Sequence, residues 1–193
     1  MNTEERYRIK AIIEFNDSIT FLRDPHGDGH PKRSSLLAVK LALELRLANG
    51  FIELVEYGMK LHDLGKNLIE EAILNKPKLT VAEMGMVRDH TKLGMLAIIP
   101  MHFDKSIEDA IHFHHENWDG SGYPNGLKRE EIPLIARIGA ITDRFDAMTH
   151  QRPYHDIYSL EDAIAEMDKE IGIAFDPTIF MVFKRMMMMD GHK

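Results

Sequence analysis

Not one of the 193 residues is a cysteine. Disulfides and thiolate ligands are therefore excluded, and with them a zinc finger or an iron–sulfur cluster. Any metal has to sit on histidine nitrogen and carboxylate oxygen, a donor set that suits iron, manganese or another borderline ion. A positive balance is missing too: 24 Lys and Arg stand against 31 Asp and Glu, a net charge of −7. That argues against a nucleic-acid or anionic-membrane surface. No apolar run reaches the length of a membrane span, and Met1-Asn-Thr-Glu-Glu-Arg6 has none of the build of a signal peptide, so a cytoplasmic location is expected. Strand alternation, internal repeats and linkers are also lacking. Histidine, by contrast, is abundant at 11 residues, and where these fall matters more than their number.

The helical signals run almost end to end, and they describe a single all-α domain over residues 1–193. A helix is expected over about 4–22, around Ile9, Ile12, Ile13, Phe15 and Leu22, with the remaining core over about 24–190. Asp24-Pro-His-Gly-Asp-Gly-His30-Pro31 breaks the first helix, and Pro31 suits the opening of the next, which runs to Leu47 before Asn49-Gly50. Phe51 to about Leu64 is a third. Thr80-Val-Ala-Glu83 is a capping box that should start a helix running through Val87, His90 and Gly94. Ile107, Ala110, Ile111, His114 and His115 keep the spacing of one buried helix face, and a long Gly-, Asn- and Pro-rich loop follows from Asn117 to Pro133. Leu134–Met148, a helix capped near Ser159 and one begun by Asp176-Pro177 close the chain. The Met186–Met189 run is the face and tail of that last helix.

Several inward positions carry groups that a plain core would not accept. His62-Asp63 ends an apolar helix. His90 shares a face with Val87 and Gly94. His114 and His115 end another apolar stripe. Asp143 lies in a row of small residues (Ala136, Ala140, Ala147), with Asp146, one turn on, as the alternative inward acid. His30 begins a further helix. Each alone has an ordinary explanation as a helix-end contact or a boundary residue, but together they send seven donors inward from separate helices. Seven are too many for one ion, whereas two metals bridged by a shared carboxylate would use them. His102, His150 and His192 read as surface residues, and His112 as solvent-facing or supporting a ligand.

The pieces His62-Asp-Leu-Gly-Lys66, Asn75-Lys-Pro, Arg88-Asp-His90, His114-His-Glu-Asn-Trp-Asp-Gly-Ser-Gly-Tyr-Pro124, Ile138-Gly-Ala-Ile-Thr-Asp143, Arg152-Pro-Tyr154 and Phe175-Asp-Pro177 resemble the HD-GYP family, a branch of the HD hydrolases whose members degrade cyclic dinucleotides, chiefly cyclic di-GMP. The resemblance spans roughly residues 20 to 185. It implies an HD-domain helical bundle with a Gly-Tyr-Pro loop beside a buried metal centre. The implied ligands of two divalent ions, iron or manganese, are His30, His62, Asp63, His90, His114, His115 and Asp143, with Asp63 bridging. Catalysis would rest on Asp63 and Lys66. Substrate would meet Lys66, Gly122, Tyr123, Pro124 and Arg152, with Tyr123 placed to stack on a guanine. The implied reaction is attack of a metal-bridging hydroxide on the phosphodiester, giving pGpG and/or GMP.

Three positions depart from the family pattern. His26 stands where some members have a glutamate that serves a third metal; His26 and Asp28 are the candidates for such an ion here, which stays open. His155 replaces a basic residue, and Arg129 replaces a common glycine. Residues 1–20 are too short for a receiver or sensor domain, which leaves a stand-alone form or an excised catalytic piece. The alternatives are a non-catalytic module that binds cyclic dinucleotides or docks diguanylate cyclase domains through the 117–133 loop, a phosphodiesterase preferring cyclic GMP-AMP, or another HD-type chemistry. A homodimer is left open.

Overall fold

Apolar residues recurring every three to four positions wind the chain into helices whose ends carry the polar residues of the site. The computed structural model describes residues 1–23, 29–150 and 157–190. In chain order the helices are α1 (Thr3–Arg23), α2 (His30–Glu44), α3 (Asn49–Leu61), α4 (Glu71–Leu74), α5 (Val81–Arg88), α6 (His90–Ile98), α7 (Lys105–Phe113), α8 (Leu134–Thr149), α9 (Leu160–Asp168) and α10 (Pro177–Asp190). A 3-10 turn over Leu64–Leu68 follows α3. Among the described residues the extended pairing is limited to an isolated bridge between Ile171 and Phe175. The all-α expectation holds.

Two apolar clusters share α3. On one side Val55 and Met59 pack with Leu41 of α2, Ile138 and Phe145 of α8, Ile164 of α9, and Phe180 and Phe183 of α10. On the other side Tyr57 and Leu61 pack with Ile9 and Ile13 of α1 and with Ile107 and Ile111 of α7. Burying each such side chain is worth about 1.5–3 kcal/mol, so α3 is fixed from both directions. Its C-terminal end, where His62 and Asp63 follow, is accordingly anchored by packing on two sides. The outer face of α1 is different: Phe15 and Leu22 are exposed rather than buried.

Capping behaves as its chemistry dictates. Thr80 accepts from the Glu83 amide while Glu83 accepts from the Thr80 amide. Ser159 accepts from the Asp162 amide. Asp176 Oδ1 accepts from the amides of Thr178 and Ile179. In each case a side-chain oxygen satisfies a donor that the first helical turn leaves free.

Several boundaries differ from the sequence pattern. The second helix stops at Glu44 and not at Leu47, and Asn49-Gly50 opens the third. The single helix expected from Thr80 through Gly94 is two, because α5 ends at Arg88 and α6 begins at His90, with Asp89 between them. The break keeps the phase of the apolar positions, so periodicity cannot reveal it. The third helix stops at Leu61, and Leu64 belongs to the 3-10 turn. The seventh stops at Phe113, so His114 and His115 project from its end and not from its face.

Gly65 lets the 3-10 turn lie directly against α6. A Cβ there would fall 1.9 Å from the His90 carbonyl oxygen and 2.6 Å from the Gly94 nitrogen. Backbone cannot yield as a side-chain tip would. We expect Gly65→Ala to destabilise the fold by about 1–3 kcal/mol, as overpacking does, measured by urea denaturation. An unchanged midpoint would show that the turn does not rest on α6.

Candidate metal centre

Helix ends converge on one buried point. α2 begins with His30, α3 is followed by His62 and Asp63, α6 begins with His90, α7 is followed by His114 and His115, and α8 carries Asp143. All seven residues expected from the sequence come together. Their donor atoms form two groups. In one, His30, His62 and Asp63 each offer an atom within 4.8 Å of the others; in the second, His90, His114 and His115 do the same.

Asp63 joins the groups. Its Oδ2 lies 3.4 Å from His62 Nε2 and 3.9 Å from His30 Nε2. Its Oδ1 lies 3.5 Å from His90 Nε2 and 3.9 Å from His114 Nε2. Asp143 Oδ1 sits 2.8 Å from His30 Nε2 and 3.6 Å from His62 Nε2, on the first side only. A carboxylate with one oxygen toward each group has the geometry of a bridging ligand.

The back of each ring explains why the front faces inward. His62 Nδ1 donates to the Met59 carbonyl at 2.7 Å, and His90 Nδ1 donates to the Val87 carbonyl at 2.7 Å. His114 Nδ1 lies 3.0 Å from the carbonyls of both Ala110 and Ile111. With the proton held on Nδ1, the Nε2 lone pair is directed into the cluster, as in metal-ligating histidines. His62 Nε2 and Asp63 Oδ1 are buried there without a hydrogen-bond partner. Buried polar atoms left without a hydrogen bond are costly, and a cation among them, taking the place of any proton, satisfies them. The residues present therefore fit divalent metal ions.

Charge divides the two groups. Burial opposes a proton on His62, but Asp63 and Asp143 outweigh it and raise its pKa to about 10. Burial likewise opposes a charge on His30, which hydrogen bonds to Asp143 and Asp146 nevertheless push upward. On the other side, burial lowers His90, holds His114 well below its ordinary value, and lowers His115 to about 4. The first group thus binds a proton when it holds no metal, and the second does not.

The loop over residues 114–133 lies alongside. Tyr123 donates its amide to the His115 carbonyl at 3.1 Å, and its ring stacks on His115 with centroids 4.9 Å apart. The Arg88 guanidinium lies 5.0 Å from the same ring. Gly122 crosses the chain so closely that a Cβ would meet the Asn117 nitrogen at 2.2 Å. Arg129, where the family commonly has glycine, adopts a φ of +52°. That is the left-handed region glycine occupies at no steric cost. Lys66, one 3-10 turn past Asp63, places Nζ 2.6 Å from Asp63 Oδ2 while its side chain stays partly exposed. His26, Asp28 and Arg152 lie outside the described residues, as do His155 and His192.

Sequence reasoning missed three residues. Glu116 is buried and accepts from the amides of Asn125, Gly126 and Leu127 at 2.7, 3.1 and 3.0 Å. An acid directly after two inward histidines was the available signal. His112, expected to face solvent or support a ligand, is buried, with Nδ1 3.4 Å from the Thr91 carbonyl oxygen. His150, expected at the surface, is half-buried and lies 3.1 Å from Asp146 Oδ1.

Two measurements follow from this geometry. A metal ion must displace the proton on His62, so the affinity of the His30–His62 group should rise as pH increases, by about tenfold per unit for each proton released, and level off near pH 10. The His90–His114–His115 group, already neutral, should show almost no such slope above neutrality. Calorimetric titrations in buffers of different ionisation enthalpy would measure the protons released; none released would contradict the charge division. Glu116→Ala should loosen the loop by about 1–3 kcal/mol, the penalty of leaving its amides unpaired. Trp118, the only tryptophan, sits in that loop, so quenching of its fluorescence should increase while far-UV circular dichroism stays constant.

The HD domain family model matches residues 14–179. A cyclic di-GMP phosphodiesterase of Thermotoga maritima is 34% identical over 188 residues, which cover 95% of this chain and 51% of that protein. A 3'3'-cGAMP-specific phosphodiesterase of Vibrio cholerae is 30% identical over 178 residues, 92% of this chain and 39% of that protein. The chain thus spans about half the length, or less, of these curated relatives. In fold it is similar to the HDG"Y"P protein Bd1817 of Bdellovibrio bacteriovorus, at a TM-score of 0.67 and 20% identity, over 82% of this chain and 51% of that one. Two donor groups bridged by the aspartate of His62-Asp63, on a fold shared with such proteins, lead to one conclusion: the chain belongs to the HD-domain family, in its HD-GYP branch.

Proposed function

We propose that residues 1–193 form the catalytic unit of a cyclic dinucleotide phosphodiesterase that hydrolyses cyclic di-GMP, with two iron or manganese ions. The observation that carries this is Asp63, whose two oxygens face two separate donor groups. A binding module would have no need for buried donors arranged as two open groups bridged by a carboxylate. Donors that are all imidazole nitrogen and carboxylate oxygen are compatible with iron or manganese.

When bound, two such ions supply Lewis acidity, lowering the pKa of water toward neutrality and neutralising charge on a phosphate. The chain's own residues do the rest. Asp63 holds the two groups in register, and its neighbour Lys66 extends an ammonium beside the scissile phosphate, where it meets negative charge that builds during attack. Arg152, assigned from the sequence motif, grips a phosphate through its two-pronged guanidinium. Gly122, Tyr123 and Pro124 form the wall on the substrate side, with Tyr123 held by His115 and Arg88 where a guanine would rest. Water adds to phosphorus, the bond to the 3' oxygen breaks, and that oxygen leaves with a proton. One cut gives pGpG and a second gives GMP. The resemblance to a cGAMP-specific relative favours 3'3'-cGAMP as the alternative substrate.

Anaerobic turnover of cyclic di-GMP, with metal content measured on the same sample, tests the proposal. The expected result is about two ions per chain and product formation that falls at least about 10²–10³-fold in Asp63→Ala. A metal-loaded protein that cleaves neither cyclic di-GMP nor 3'3'-cGAMP contradicts it.

A further inference from the structure

His30 differs from the other inward histidines in what holds the back of its ring. His62, His90 and His114 each turn Nδ1 to a backbone carbonyl three or four residues earlier. His30 is the first residue of α2, preceded by Gly29 in a left-handed conformation. Its Nδ1 instead lies 2.6 Å from Asp146 Oδ2. Asp146 belongs to α8, one turn beyond Asp143, and its side chain is wholly buried. A buried carboxylate with one partner would swing between rotamers, but this one is held firmly. Arg33 Nε donates to Oδ1 at 2.8 Å and Arg33 Nη2 to Oδ2 at 2.9 Å, a two-pronged clamp from the same helix as His30. His150 Nδ1 lies 3.1 Å from Oδ1.

We propose that Asp146, clamped by Arg33, is the positioning residue for His30, holding its proton on Nδ1 and aiming Nε2 at the ion of the first donor group. The inference rests on the proposed two-metal centre. It assigns Asp146 no contact with either ion, because its two oxygens are occupied by His30, Arg33 and His150. A carboxylate behind a ligating imidazole fixes its tautomer and strengthens it as a donor, and loss of such partners lowers metal affinity about 10–100-fold. The effect is confined to one side. Nothing in the His90, His114 and His115 group depends on Asp146, since those rings are oriented from α5, from α7 and from the 114–133 loop. The two ions should therefore respond differently to one substitution.

Cobalt(II) titration of the metal-free protein reads each group through its d–d absorption, without requiring turnover. Wild type should take up two ions. Asp146→Asn should weaken one of them about 10–100-fold and leave the affinity and spectrum of the second unchanged. Because the substitution sets an amide against the Arg33 guanidinium, the double variant Arg33→Gln/Asp146→Asn is the control for folding. It should show the same selective loss with circular dichroism like that of wild type. If both ions bind Asp146→Asn as tightly as wild type, the positioning role is overturned while the two-metal centre stands. Equal weakening of both ions also overturns it, by assigning Asp146 to the general fold. A wild type that takes up fewer than two ions overturns the two-metal centre and this inference together.

Discussion

Five imidazoles and two carboxylates are held face to face in a largely buried cluster, and the rest of the structure depends on keeping them there. Groups of this kind ordinarily avoid burial, and an unsatisfied one costs about 1–3 kcal/mol. His62 Nε2 and Asp63 Oδ1 are buried in that condition. The fold tolerates them because the outer side of the rings is tied down: Met59, Val87 and Ala110 offer carbonyls, and Asp146 offers a carboxylate. The helices end where they do for the same reason. A histidine at the end of α3 or α7 can reach a carbonyl left free by the last turn, and it then points its other nitrogen away from the helix axis.

Asp63 is a shared element in an otherwise uneven pair. The side with His30, His62 and Asp143 concentrates negative charge and so binds a proton or a cation strongly. The side with His90, His114 and His115 is neutral and depends on one oxygen of Asp63 for charge. Two ions at such positions would differ in affinity and in proton release. The 114–133 loop adds a further link. Glu116 gathers the amides of residues 125–127, Tyr123 lies against His115, and Trp118 and Asp119 donate their amides to Ala174 and Ile173 just before α10. The loop is thereby fastened both to a candidate ligand and to the core.

Much of this was legible in the sequence because it rests on local rules. The capping box at Thr80, the caps at Ser159 and Asp176, and the inward phase of His90 and Asp143 all follow from spacing. The choice between Asp143 and Asp146 did not, because one helical turn separates them and both face inward. Only the fold shows that Asp143 faces His30 Nε2 while Asp146 faces His30 Nδ1. Glu116 was hidden for a related reason: its partners are amides 9–11 residues onward, which no periodicity encodes. The break at Asp89 and the burial of His112 depend on the packing of α5, α6 and α7, so they too lie beyond a one-dimensional pattern.

Anomalous diffraction from crystals grown with manganese would test the central claim most directly. Two ions, each coordinated by a different oxygen of Asp63, one with His30, His62 and Asp143 and the other with His90, His114 and His115, is the result this account predicts. A single ion, or two ions of which either lacks Asp63, would contradict it.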